Sequence, residues 1–77
     1  MEDICLMFGQ NVRKYRLAKG YSQEEFADKV GLHRTYISAV ERGRRSIALE
    51  NIKKIADSLN IEIYKLFIFK GDGIGDS

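Results

Sequence analysis

The 77-residue chain has no proline, one cysteine and one histidine. Cys5 is alone, so no disulfide closes within the chain, and an unpaired thiol suits a reducing compartment. One Cys and one His also fall short of the four ligands of a structural zinc site. A domain this small has a marginal core, and the usual covalent and metal staples are missing. A partner subunit is the support that remains. No apolar run approaches the roughly 18 residues of a membrane span. The opening "MEDICLMFGQ" is acidic where a secretion signal is basic. There is no nucleophile–base pair and no pair of catalytic carboxylates with a pocket. The expectation is one soluble, cytoplasmic, non-enzymatic domain without membrane, metal or cofactor.

The net charge of +2 says little, but its distribution says more. "VRKYRLAKG" (residues 12–20) holds four basic residues and no acidic one; residues 33–45 hold four arginines against one glutamate. The rest of the chain is net acidic. Segregation of this kind makes a basic face on a nearly neutral protein, although solvated helix faces give the same pattern.

Without proline, glycines and caps punctuate the chain. Asp3 caps a first helix that carries Ile4, Met7, Phe8, Val12, Tyr15 and Leu17 at helical spacing and ends at Gly20. Ser22 and Glu25 have the spacing of a capping box for a second, short helix, with Phe26, Ala27 and Val30 on its apolar edge and Gly31 at its close. A third helix is expected over residues 34–42, stopped by Gly43. A fourth, "LENIKKIADSLN", buries a stripe of Leu49, Ile52, Ile55, Ala56 and Leu59 and ends at Asn60. "IEIYKLFIFK" is short, apolar and β-branched. As a strand it would have no partner in the chain, so it reads as a fifth helix over residues 62–67. Residues 1–69 then form the domain, and residues 70–77, "GDGIGDS" with Lys70, form a flexible tail.

The third helix carries the chemistry. With Arg34 at 0° and about 100° per residue, Ser38 falls near 40°, Arg42 near 80°, Thr35 near 100° and Ala39 near 140°. Tyr36, Ile37 and Val40 fall on the opposite, apolar side. Short or fork-shaped side chains on one face differ from the Glu and Lys pairs of a simply solvated helix. Arg reads a guanine edge through two hydrogen bonds, Ser and Thr reach bases or phosphates, and small residues let a helix sit deep in a groove. "SQEEFADKVGLHRTYISAVERG" is a short helix, a glycine turn and a second helix, the layout of a DNA-binding helix-turn-helix.

These residues carry a resemblance. "R-x-x-K-G-Y-S-Q-E-E-F-A", "G-L-x-R-T-Y-I-S", "E-R-G-R-R" and "L-E-N-I-x-K-I-A" resemble the phage-repressor-like (lambda-repressor, Cro-cI type) helix-turn-helix regulators. Within them they are most similar to restriction–modification controller proteins. The resemblance runs from Val12 to about Phe67. It implies an all-α, five-helix lambda-repressor-like domain. It implies base contacts from Arg34, Thr35, Ser38 and Ala39, and backbone or supporting roles for Gln23, Tyr36, Arg44 and Arg45; Arg13, Arg16, His33 and Arg42 are expected to share those backbone or supporting roles. It further implies a buried ion pair of Arg16 with Glu41. The chain departs from the pattern at His33 and Ala48, where helix-capping Asp, Ser or Thr is usual.

The implied function is sequence-specific binding of double-stranded DNA as a homodimer, controlling transcription, with RNA polymerase as a further partner. The alternative is an interaction module, an antitoxin or adaptor that binds DNA secondarily. Assembly has independent support from composition. Ile61, Ile63, Tyr64, Leu66, Phe67, Ile68 and Phe69 exceed the buried stripe of one short helix, and the surplus marks a partner surface. Ile63, Phe67 and Phe69 are its expected dimer contacts.

Overall fold

The first helix begins where a carboxylate can cap it. In the computed structural model, which describes residues 3–69, Asp3 accepts hydrogen bonds from the backbone N–H groups of Cys5 and Leu6 at 3.0 and 3.3 Å. Helix α1 then spans Ile4–Ala18. Helix α2, Gln23–Val30, opens on the expected capping box: Glu25 N–H donates to Ser22 Oγ at 3.0 Å, and Ser22 N–H donates to Glu25 Oε1 at 2.8 Å. Gly31 ends it at φ +82°, a left-handed conformation that costs glycine little and other residues more. Its N–H and that of Leu32 both return to Ala27 O, at 2.8 and 3.0 Å, which turns the chain sharply into α3, Arg34–Glu41.

Helix α4 spans Leu49–Leu59 and stops at Asn60, in the left-handed region at φ 59°. Ala48 and His33 occupy the N-cap positions of α4 and α3 and supply no side-chain cap. The fifth element is not an α-helix. It is a 3₁₀ helix, Ile63–Phe67, so the domain has four α-helices where five were expected. No side chain caps its start. Lys65 N–H bonds back three residues to Glu62 O at 3.1 Å. At the far end, the carbonyls of Leu66 and Ile68 accept from Asn11 Nδ2 at 2.9 and 3.0 Å. A short β-branched and aromatic segment gains little from an α-helical ladder, and its last carbonyls are satisfied by α1 instead. The expected tail lies outside the described residues.

Each helix contributes its apolar edge to one core. Val12, Phe26, Ile37, Val40, Ile55, Leu59 and Leu66 are buried completely or nearly so. Burial of such side chains contributes about 1.5–3 kcal/mol apiece. Three apolar residues expected inside are outside. Leu49 is 83% exposed, because it precedes the stripe of Ile52, Ile55, Ala56 and Leu59 by one turn at the very start of α4. Ile4 and Leu17 are also exposed. The inward line of α1 is Phe8, Gly9, Val12 and Arg16, so the place expected for Leu17 belongs to a charged residue. No helix among the described residues is long and apolar enough to cross a membrane.

Helix α1 packs on α3, and α2 bridges α3 and α4. At the first of these contacts Gly9 faces the end of α3. A Cβ there would meet the carbonyl oxygen of Val40 and stand 2.8 Å from that of Glu41. Neither backbone oxygen can move without unseating α3. Gly9→Ala should therefore destabilise the domain by on the order of 3 kcal/mol. In thermal unfolding followed by circular dichroism, this is a fall in midpoint of more than about 10 °C for a domain of this size. An unchanged midpoint would show that the helices are not in such close contact.

Candidate nucleic-acid interface

An eight-residue helix is too short to hold itself in water. What holds α3 therefore decides how its outer face is presented. Ile37 and Val40 anchor its inner side in the core. Its end is closed by backbone alone: Arg44 N–H returns to Ala39 O at 2.9 Å and Gly43 N–H to Val40 O at 3.0 Å. This is a Schellman closure. The strand of chain that leaves it begins with Arg44 and Arg45, both exposed.

The deepest anchor is ionic. Arg16 and Glu41 are the only buried charged residues among those described, 6% and 5% exposed. Arg16 Nε and Nη2 donate to the two carboxylate oxygens of Glu41 at 2.6 and 3.0 Å, and Nη1 donates to Tyr21 O at 2.8 Å. Gln23 Nε2 donates to the same carboxylate at 3.0 Å. One carboxylate at the end of α3 is thus tied to α1 and to the start of α2. With the fork filled and no buried side-chain polar atom left unpaired among the described residues, the pair meets the condition under which burying two charges is tolerable. Arg16 was expected both to pair with Glu41 and to touch DNA backbone. Its burial rules out the second role. Gln23 also turns inward, to a supporting position.

On the outer side, Arg34 and Thr35 are exposed, and Ser38 and Ala39 are half-buried beside them. Thr35 Oγ1 lies 3.4 Å from His33 Nδ1, a contact at the long limit of a hydrogen bond. Arg13 and Arg42 are exposed. None of the arginines at positions 13, 34, 42, 44 and 45 takes part in an ion pair among the described residues. Tyr36 is half-buried at the edge of this face, packed against the core. The guanidinium carbon of Arg45 stands 5.1 Å from its ring centroid. The Tyr36 hydroxyl accepts from Asn51 Nδ2 at 3.2 Å. Asn51, in the first turn of α4, was not foreseen. Fifteen residues of chain separate it from Tyr36, and no periodicity links the two. On the last element and its exit, Ile63, Tyr64, Phe67 and Ile68 are exposed by 40, 61, 37 and 53%. Phe69 is half-buried. The ring of Phe67 packs 5.1 Å from that of Phe8 and 6.3 Å from that of Phe69.

Two short helices joined through Gly31, the second held from behind and basic in front, form a helix-turn-helix. Comparison with known proteins agrees. Residues 12–66 match the helix-turn-helix family model. The chain is 48% identical to control protein C.BamHI of Bacillus amyloliquefaciens, over 87% of this chain and 84% of that protein. It is also 48% identical to a hypothetical transcription factor of Neisseria meningitidis, over 87% of this chain, but spans only 63% of that relative's length. Among solved structures it matches the restriction–modification controller protein C.AhdI of Aeromonas hydrophila with TM-score 0.80 and 49% identity, covering 82% of this chain and 96% of that one. The biofilm master regulator SinR, solved in complex with DNA, matches with TM-score 0.76 and 31% identity, covering 79% and 98%. The chain belongs to the helix-turn-helix family of transcription regulators, alongside the restriction–modification controller proteins.

The ion pair has a measurable signature. Glu41→Ala leaves Arg16 buried without its partner and should cost about 3–5 kcal/mol. Replacing both, as Arg16→Met with Glu41→Leu, should cost much less. Urea unfolding of the two variants separates a buried pair from a surface one, for which neither change would exceed about 1 kcal/mol.

Proposed function

We propose that two copies of this chain bind a pseudo-palindromic DNA operator and thereby control transcription of a restriction–modification operon in the cytoplasm. The single observation that carries the reading is the two-sidedness of α3. Ile37, Val40 and Glu41 lock it from within, while Arg34 and Thr35 stand free outside, with Ser38 and Ala39 alongside. Inserted in a major groove, Arg34 reads a guanine edge, and Thr35, Ser38 and Ala39 complete the base contacts. Arg13, Arg42, Arg44 and Arg45 bind phosphates, which position the helix without reading sequence. Relatives named as controller proteins and a relative solved with DNA support this assignment.

The dimer is supported by the patch of Ile63, Tyr64, Phe67 and Ile68. Ile63 and Phe67 are its centre, with Phe69 at the margin. A two-fold contact there is self-complementary, and it sets two recognition helices about 34 Å apart, one turn of DNA. Double-stranded DNA and a second copy are then the first partners, and RNA polymerase is the partner through which transcription is adjusted.

With about six to eight phosphates contacted per dimer, log K should fall against log salt with a slope of roughly −5 to −7. Arg34→Ala should cost about 1–3 kcal/mol per half-site and relax preference at one base pair. Titration of selected operator duplexes measures both. A flat salt dependence, or an equal loss for every sequence on Arg34→Ala, would overturn the assignment.

The dimer has its own test. Ile63→Glu places a charge in the patch without emptying the core, and sedimentation at micromolar concentration should then show a monomer where the wild type is dimeric. A monomeric wild type that protects a single half-site would remove the dimer.

A further inference from the structure

Three groups meet at Tyr36. Its ring lies against the core on one side and has the Arg45 guanidinium over its face, 5.1 Å from the centroid. This is within the range of a cation–π contact. Its hydroxyl accepts the Asn51 amide at 3.2 Å. Asn51 is held by α4 and Tyr36 by α3, so the relative placement of two helices sets where this hydroxyl stands.

The hydrogen count gives the arrangement a direction. A phenol has one hydrogen to donate and lone pairs to accept. Asn51 uses the accepting side, and among the described residues no protein group takes the hydrogen. Arg45 has five donors and enters neither of the ion pairs among the described residues. The phenolic hydrogen and the donors of the guanidinium over the same ring are thus both left to donate to an external acceptor. A ligand for that pair is an oxyanion with more than one free oxygen. On a DNA duplex this is a backbone phosphate.

We propose that Asn51 is a positioning residue for DNA binding: by donating to Tyr36 it fixes the phenol so that its O–H, beside the Arg45 guanidinium, clasps one backbone phosphate in each half-site. This rests on the operator-binding reading above. Asn51 does not touch DNA, and its effect passes through Tyr36. Because a phosphate carries no base identity, the clasp sets affinity and register and leaves sequence preference alone.

The experiment compares the full chain with Asn51→Ala, Tyr36→Phe and the double variant. Each is titrated at one salt concentration on a selected operator duplex and on a scrambled one, and each is mapped by phosphate-ethylation interference. Tyr36→Phe keeps the ring under Arg45 and removes only the hydroxyl. Each single variant should weaken binding to both duplexes by about threefold to tenfold per half-site, the worth of one hydrogen bond. The double variant should be no weaker than Tyr36→Phe. Ethylation of one phosphate per half-site that hinders the wild type should lose its effect in both single variants. If Asn51→Ala unfolds, Asn51→Ser, which shortens the donor's reach while keeping a residue suited to a helix start, takes its place. Wild-type affinity in Asn51→Ala overturns the proposal. So does a loss that adds in full to that of Tyr36→Phe, or an unchanged ethylation map, since either means that Asn51 only stabilises α4. A wild type that shows neither salt dependence nor ethylation interference fails the operator reading itself. A salt-dependent wild type sensitive to Arg34→Ala, with Asn51→Ala silent, fails this inference alone.

Discussion

The structure turns on one carboxylate. Glu41 ends α3, lies inside the domain, and accepts from Arg16 on α1 and Gln23 on α2. Burying two charges is costly, and a hydrophobic pair of similar volume is often as stable. What an apolar pair does not provide is registry. The guanidinium fork matches the carboxylate in one plane and at one separation, and its third nitrogen, Nη1, donates to the Tyr21 carbonyl. Rotation of α3 about its own axis would break several charge-assisted bonds at once. Gly9 reinforces this, because the missing Cβ lets α1 approach the last carbonyls of the same helix.

A recognition helix of eight residues has no stability of its own to spare. It draws order from three sources: the core through Ile37 and Val40, the ion pair through Glu41, and the backbone closure through Gly43 and Arg44. None of these uses the outer face, so Arg34, Thr35, Ser38 and Ala39 are left to external contact. Its first turn has no such aid, since His33 gives no side-chain cap. Backbone donors that a cap would satisfy remain open at the end of the helix that enters a groove in the proposed mode of binding.

Much of this was legible from residue order. Asp3, the Ser22–Glu25 capping box, Gly31 and Asn60 mark helix ends through interactions that span only a few residues, and the structure places them where local chemistry requires. The two-sided pattern of α3 is likewise a property of one helix at a fixed angular step. Where the reading missed, the deciding contact was remote in sequence. Leu17 fits the spacing of a buried stripe, but Arg16 lies inside because Glu41, 25 residues away, receives it. Leu49 fits the stripe of α4 and overhangs the core by one turn.

The sequence by itself determined the capped ends of the α-helices, most of their apolar edges and the charged outer face of α3, because each follows from short-range periodicity and capping. Only the tertiary structure decided the rest. It made the last element a 3₁₀ turn, whose exit is held where Asn11 on α1 takes the carbonyls of Leu66 and Ile68. It buried Arg16, turned the half-buried Gln23 amide to Glu41, and brought Asn51 to the hydroxyl of Tyr36. Each depends on the distance between two helices, and that distance is set by how side chains from the whole chain fill one core.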